Sequence, residues 1–342
     1  MKNKTQGFII FGYTLLFSFS TSQIAFAKQN LLIAQSNQIC DNEVVNTYQY
    51  DYITGTSSLG STTQFKCRPN PAPQNYPNPA YQIRPLTAKD LHIRAEKKSR
   101  QGNLKDAIED YTQAIRLDPS YASAFNNRGI VRGRLGDHKG AIEDLNQAIR
   151  LNPGFAIAFN NRGDVRNKLG DYKNAIEDLN QAIRLDPSLA IAFNNRAHAR
   201  RRLSDYKGAI EDYDQAIRLD PRNAFTFFAR GTARGVLGDL KGAIENYNQS
   251  IRLNSKNAYV FSIRGYSRSR LGDHEGGIKD LNQAIRLNPN NATAFRHRGS
   301  IRNQMGDRQR AIADLQKAAD LYLRQNQMED YQQVVSLLSE IR

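Results

Sequence analysis

The chain has 342 residues, a formal net charge of +15 and a mean hydropathy of −0.64. It contains no tryptophan, and its low mean hydropathy argues against one large apolar core. This composition favours either two domains or a long array of repeats that share a thin core.

The first residues have the pattern of a secretory signal peptide. Lys2 and Lys4 precede a mostly apolar run over 7–19, and a small-x-small sequence lies at 25–27. We expect cleavage after this sequence, so residues 1–27 are the predicted signal peptide and the mature chain is exported. The expected location is periplasmic, lumenal or secreted. Retention of the uncleaved segment as a membrane anchor is the less favoured alternative, because a bilayer span needs about 20 apolar residues.

The two cysteines, Cys40 and Cys67, both follow the predicted signal peptide. In an oxidising compartment a lone pair is most simply one disulfide. The sequence has no CxxC spacing, which disfavours a metal or redox role. The predicted bond would close a small, mostly irregular segment at 28–67, in which alternation over 48–53 also allows a short β-hairpin. Closely spaced prolines then predict an extended linker at 68–87.

The sequence repeats every 34 residues over residues 88–325, in seven units that are in phase. Each unit contains two helical patterns with a short break between them. Counted from the first alanine of a unit, position 4 is phenylalanine in units 2 to 7, and positions 8 and 20 are small. Position 32 is usually proline, which ends the second helix. The units begin at Ala88, Ala122, Ala156, Ala190, Ala224, Ala258 and Ala292.

The period and the small residues resemble the tetratricopeptide repeat, TPR. The resemblance implies an all-α fold, a right-handed α-solenoid of seven helix-turn-helix repeats. Residues 326–342 carry Tyr331, Val334, Leu338 and Ile341 at helical spacing, which predicts a C-terminal helix that caps the last repeat. A partner-binding helix is the alternative for this segment. The predicted signal peptide and the small disulfide-closed segment precede the solenoid.

Charged residues recur in register and depart from the TPR pattern. Position 7 is arginine in every unit, position 11 is arginine or lysine, and position 23 is aspartate except at Asn246. Positions 7 and 11 share one face of the first helix, which in TPR folds faces the second helix. We therefore predict an internal ion-pair ladder, and a stripe that binds polyanions is the alternative. The predicted ladder includes Arg128, Arg132, Asp144, Arg162, Arg166 and Asp178.

In TPR folds the first helices line a concave groove, and the resemblance places positions 2, 5, 9, 12 and 13 in it. Asparagine amides there would pair with the backbone of an extended peptide. Basic side chains would hold acidic groups, and aromatic side chains would hold an apolar anchor. The predicted groove residues are Asn126, Asn160, Asn194, Phe228, Arg134, Lys168, Arg202, Phe225, Tyr259 and Tyr266.

The sequence contains no catalytic or metal-binding motif. There is no HExxH, and His138 and His274 stand where other units have a packing tyrosine. We predict that the protein is not an enzyme and has no cofactor. The predicted function is an extracytoplasmic scaffold or adaptor for a protein or peptide with acidic and apolar parts, and export disfavours nucleic acid. The alternatives are an accessory subunit of an envelope enzyme complex and, less favoured, a binder of acidic polymers.

Overall fold

A computed structural model describes the backbone of residues 38–51 and 56–69 and the whole of residues 85–341. The predicted signal peptide and most of the predicted linker lie outside these residues. The chain divides into two parts between Arg84 and Pro85.

The N-terminal part contains a two-stranded antiparallel sheet. Strand β1 spans Gln38–Asp51 and strand β2 spans Thr56–Pro69. The described residues of this segment are therefore paired strands and not mostly irregular, and β2 continues two residues into the predicted linker. The register sets Cys40 opposite Cys67. Directly opposed Cα atoms in such a sheet lie about 4.5 or 5.5 Å apart, a separation that a disulfide can bridge.

Every repeat unit forms two helices, and the region 85–341 contains no strand. The first helix of each unit has 13 residues and the second has 14, except for a longer last one of 17 residues. In this last unit Leu323 occupies position 32 in place of proline and the helix continues through it, whereas in unit 5, which has Ser255 there, the helix still ends after 14 residues. The helices are α1 Ala88–Arg100, α2 Leu104–Leu117, α3 Ala122–Arg134, α4 His138–Leu151, α5 Ala156–Lys168, α6 Tyr172–Leu185, α7 Ala190–Arg202, α8 Tyr206–Leu219, α9 Ala224–Val236, α10 Leu240–Leu253, α11 Ala258–Arg270, α12 His274–Leu287, α13 Ala292–Gln304, α14 Arg308–Arg324 and α15 Met328–Ile341.

Local sequence signals start the array and break each unit. Thr87 and Asp90 form a reciprocal capping box at the start of α1, with Thr87 N donating to Asp90 Oδ2 over 2.9 Å. The break between the two helices of a unit needs a left-handed residue at position 15. Six units use glycine there, with φ of 79–89°, and unit 4 uses Ser204 with φ of 64°.

The core is thin and is built largely from alanine. The alanines at positions 20 and 27, such as Ala175 and Ala182, are fully buried. Glycine at position 8 lets the two helices of a unit approach closely, since a Cβ added at Gly163 would lie 2.7 Å from Leu179 Cγ. Phenylalanine at position 4 and isoleucine at position 21 pack against this core, as Phe159 does in unit 3. Stacked units therefore supply the burial that one unit lacks.

Helices that are adjacent in sequence are adjacent in space throughout residues 85–341. First helices of neighbouring units also contact each other, most clearly between units 1 and 2, 2 and 3, 3 and 4, and 6 and 7. Second helices of neighbouring units do not come as close in the described region. The first helices therefore line the inner side of the array.

The last helix, α15, packs against the final repeat. Val334 and Ile341 are buried in one apolar cluster with Leu321 and Tyr322 of α14. At the edge of this contact, Asp330 of α15 accepts a hydrogen bond of 3.0 Å from Arg296. The helix thus covers the apolar end that a further repeat would otherwise cover.

Candidate functional site

The first helices have two faces of different chemistry. The face that packs against the second helix of the same unit carries the ion-pair ladder. In unit 3, Arg162 Nη2 lies 2.6 Å from Asp178 Oδ1, and Arg166 Nη1 lies 2.7 Å from Asp178 Oδ2. Asp178 is only 3% exposed, so a buried carboxylate is neutralised by two cations from the facing helix.

Six units share this geometry, in which position 7 and position 11 hold the aspartate at position 23. The Asp110 carboxyl in unit 1 shows the electrostatic balance. Burial acts to raise its pKa, but hydrogen bonds from Arg94 and Lys98 outweigh burial and lower that pKa. The other trios are Arg128, Arg132 and Asp144; Arg162, Arg166 and Asp178; Arg196, Arg200 and Asp212; Arg264, Arg268 and Asp280; Arg298, Arg302 and Asp314.

The arginine at position 7 also joins one unit to the unit before it, a contact that sequence reasoning missed. Arg162 donates to Asn146 Oδ1, at position 25 of unit 2, over 2.6 Å. Its guanidinium carbon lies 5.4 Å from the centroid of the Phe159 ring. Position 25 carries a side chain that can accept a hydrogen bond in every unit, and this regularity is the sequence signal that could have indicated the contact. These arginines are engaged within the protein, so they offer little to an acidic polymer.

Unit 5 breaks the ladder. Asn246 stands at position 23, and Arg230 donates to its Oδ1 over 2.7 Å. Arg230 also pairs at 2.5 Å with Asp214, an acid at position 25 of unit 4 where the preceding units have neutral residues. For Arg234, the acidic group within 4.0 Å among the described residues is Asp239, at 3.9 Å.

The second face carries the predicted groove asparagines, and two of them are not available to a ligand. Asn126 and Asn160 are each 3% exposed. Asn161 Nδ2 donates to Asn126 Oδ1 over 2.9 Å, and Asn195 Nδ2 donates to Asn160 Oδ1 over 3.0 Å. The side-chain oxygens of these two predicted groove residues are thus occupied by position 6 of the next unit. We call this row of side-chain contacts the amide chain.

The amide chain ends between units 4 and 5. Ala229 occupies position 6 of unit 5, so no amide reaches back to Asn194. Asn194 Nδ2 instead donates to the carbonyl of Ala190 over 3.4 Å, and Asn194 Oδ1 is buried without a hydrogen-bond partner among the described residues. Of the three predicted groove asparagines, Asn194 is the one whose side-chain oxygen has no hydrogen-bond partner among the described residues.

A row of exposed apolar side chains begins where the amide chain runs and continues beyond it. Position 2 is apolar in four successive units, and these side chains are 47%, 53%, 62% and 51% exposed at Ile157, Ile191, Phe225 and Tyr259. Phe228 supports the row, since its ring centroid lies 6.2 Å from that of Phe225 and 5.6 Å from that of Tyr259. We call these four position-2 side chains the apolar row.

The predicted basic groove residues are exposed and held by weak contacts. Lys168 pairs with Asp164 one turn earlier at 2.8 Å. Arg202 donates to the Tyr172 hydroxyl over 2.8 Å and lies over the same ring. Arg134 reaches Ser99 Oγ over 3.0 Å. Surface contacts of this kind are worth little, so an acidic ligand can displace them.

A cavity of about 430 Å³ lies where the amide chain ends and the apolar row continues. Its lining combines an unpaired amide, a basic and an acidic side chain, an imidazole and an aromatic ring. Its lining residues are Asp164, Asn167, Lys168, Ile191, Asn194, Asn195, His198, Asn223 and Phe225.

Tyr266, the last predicted groove residue, lies further along the array. Its ring stacks on His297 of the next unit, with centroids 4.4 Å apart and an interplanar angle of 27°. Burial, and secondarily the charge of Arg296, lowers the pKa of His297 to about 4. The ring is therefore neutral at physiological pH and acts as a packing surface.

Within residues 85–341, no cluster of potential ligands that could hold a metal ion is present. No helix of the described residues combines the length and apolarity that a membrane span requires.

Comparison with known families identifies the class. A model described as TPR repeat matches residues 100–136 and 163–204, and one described as tetratricopeptide repeat matches 122–155 and 190–223. A second tetratricopeptide repeat model matches 264–326. Together these matches cover more than half of the chain. The fold is thus that of an α-helical repeat protein, and the chain belongs to the TPR family, whose fold serves protein–protein interaction.

Solved structures show the same fold at low sequence identity. A TPR protein from Parabacteroides merdae is 18% identical, and the match covers 72% of this chain and 98% of that one, with a TM-score of 0.56. Pseudomonas aeruginosa pilF is 19% identical over 60% of this chain and 94% of its own, with a TM-score of 0.56. The APC/C hetero-tetramer Cut9–Hcn1 matches at 19% identity over 63% and 42%, also with a TM-score of 0.56. No curated protein sequence matches the chain.

Proposed function

We propose that this protein is an exported scaffold that binds an extended peptide segment along the inner side of its first helices. The observation that carries the proposal is the apolar row, which repeats once per unit over four units. Exposed apolar side chains aligned in this way are uncommon on a surface without a partner. An extended segment would place successive apolar side chains against them.

The cavity at the junction of units 3 to 5 suits the most specific part of such a ligand. Asn194 lines this cavity and its Oδ1 is buried and unpaired, so a rotation of the side chain would let it accept a hydrogen bond from a backbone N–H of the peptide. Ile191 and Phe225 would hold an apolar side chain beside it. Arg134, Lys168 and Arg202 would attract an acidic part of the same segment.

Binding can be tested with a displayed peptide library selected on the full mature chain. We expect selected peptides to contain an apolar residue and an acidic residue. The double substitution Ile191→Ala with Phe225→Ala should weaken them at least about tenfold, since two exposed anchors are lost. Leu253→Ala, an exposed apolar residue of a second helix, is the matched control. Equal affinity in all three proteins would exclude the apolar row as the binding surface.

Asn194 allows a finer test of the same site. Asn194→Leu removes the unpaired amide and should weaken selected peptides. Asn160→Leu should instead lower stability, because Asn160 is buried in the amide chain. Peptide affinity unchanged by Asn194→Leu would remove this residue from the site.

Export is the second part of the proposal and is supported by the leader pattern and by the opposed cysteines. The mature protein should begin at or near Lys28 and should carry a bond between Cys40 and Cys67. Fractionation of the host with mass spectrometry of the unreduced protein measures both. A chain beginning at Met1 in the cytoplasmic fraction would contradict export, and two free thiols in the exported protein would contradict the bond.

A further inference from the structure

The break in the ladder at unit 5 consists of two coupled substitutions. Asn246 replaces the aspartate at position 23, and Asp214 provides an acid at position 25 of the preceding unit. Arg230 lies between them and contacts both, at 2.7 Å to Asn246 Oδ1 and 2.5 Å to Asp214 Oδ1. Arg230 therefore pairs with an acid of the preceding unit instead of an acid of its own unit, and its charge remains balanced.

The same exchange leaves Arg234 without its carboxylate. In the other six units the basic residue at position 11 lies 2.7–3.1 Å from the buried aspartate. Asn246 gives no equivalent, because its Nδ2 donates to the carbonyl of Gly242 over 2.6 Å and its Oδ1 faces Arg230. Arg234 has a side-chain exposure of 29% and is 3.9 Å from the half-exposed Asp239. A guanidinium in this position has spare donors.

A cavity of about 330 Å³ lies beside this arginine. Arg230, Arg234 and Arg252 line it, and Glu245 is the acidic residue of the lining. The balance of the lining is therefore positive. The remaining lining residues are Phe227, Asn246, Asn248 and Gln249.

We propose that this cavity binds a carboxylate group, which takes the place of the aspartate that unit 5 lacks. Arg234 donates its spare N–H groups to the carboxylate, and Arg252 approaches from the second helix. We infer a carboxylate because, in the other six units, the equivalent pair of helices holds the planar carboxylate of an aspartate between two cationic side chains. The site lies on the ladder face and is separate from the groove, so it does not depend on the proposed peptide binding.

The test is thermal unfolding of the full mature chain in acetate, with chloride at equal ionic strength as the reference. We expect a saturable rise in Tm of a few degrees in acetate for the natural sequence. Asn246→Asp supplies the missing carboxylate within the protein, so its Tm in chloride should be higher and its response to acetate should vanish. Arg234→Gln, which removes the anchoring cation, should also show no acetate response.

A capped triglutamate peptide separates a free acid from an acidic segment of a protein. Saturation by the peptide at lower concentration than acetate assigns the site to a protein side chain, and saturation by acetate alone assigns it to a small acid. The proposal is overturned if neither probe saturates, if sulfate saturates and acetate does not, or if Asn246→Asp and Arg234→Gln respond to acetate as the natural sequence does.

Discussion

Ser204 has the left-handed backbone conformation that glycine provides at position 15 of the other six units, with φ of 64°. A side chain with a Cβ costs about 1–2 kcal/mol in this conformation. Ser204→Gly should therefore raise the free energy of unfolding by about 1 kcal/mol, measured by urea denaturation. Gly170→Ser in unit 3 is the reciprocal control, because no atom lies within 4 Å of a Cβ added at Gly170. If the Ser204→Gly protein is less stable than the natural sequence, backbone strain at Ser204 does not determine the effect of this substitution on the free energy of unfolding.

His297 gives stability a defined pH dependence. Its pKa of about 4 in the folded chain lies below the unfolded value of about 6.5, because burial, and then Arg296, disfavours the charged ring. The unfolded state binds the proton more readily than the folded state does. The contribution of neutral His297 to the free energy of unfolding is therefore complete above pH 6.5 and is lost as pH falls toward 4. His297→Phe keeps an aromatic surface against Tyr266 and removes the titration. The stability of the natural sequence should fall more steeply than that of the variant between pH 6.5 and 5, and parallel curves would contradict the shift.

In six of the seven units the ladder joins the first helix to the second through a buried aspartate. Asp178→Ala leaves Arg162 and Arg166 facing each other without their buried carboxylate, and should cost about 2–3 kcal/mol. Asn246→Ala is the matched control in unit 5, where no buried carboxylate is lost, and it should cost about 1 kcal/mol. Denaturant unfolding of the two variants measures the difference. Small and equal losses would mean that solvent already screens the ladder charges.

Helix positions were predictable because the alanine period and the proline stops are local signals. The first helices begin at the alanines of the 34-residue period. Whether the asparagines at position 5 are exposed or buried was not predictable in the same way. Asn126 and Asn127 are adjacent in sequence, and whether the pair faces solvent or the next unit depends on the rotation between units. That rotation is set by packing over residues 34 apart, which the spacing within one unit does not encode.

The groove was therefore only partly predictable. Phe225, Tyr259 and Tyr266 are exposed as the resemblance to TPR folds implied, whereas Asn126 and Asn160 are buried. Contacts from position 7 to position 25 were missed, although both positions are regular in sequence. A pairing across units needs the direction in which units stack, and periodicity alone gives only their spacing.

At the scale of the whole molecule, stability must differ between the ends and the middle, because each unit is covered by its neighbours. Helix α15 covers the C-terminal end. Val334 is fully buried there and Val335 is 42% exposed. Val334→Ala should cost about 2 kcal/mol by removing buried apolar volume, while Val335→Ala should be nearly neutral. Hydrogen exchange should locate the loss in α14 and α15. Uniform loss of protection over all seven units would instead show that the array unfolds as one cooperative block.

The contacts between units join equivalent positions at successive steps of the array, and this makes its length adjustable. Excision of residues 156–189 would bring Arg196 to Asn146 and Asn195 to Asn126, acceptors of the same kind as those removed. We expect the shortened chain to fold cooperatively, as measured by circular dichroism on heating. Excision of 156–185, out of phase with the period, should give a chain with a much lower Tm. Gene duplication or deletion can thus lengthen or shorten the binding surface by whole units, and each new junction inherits interfaces that already fit.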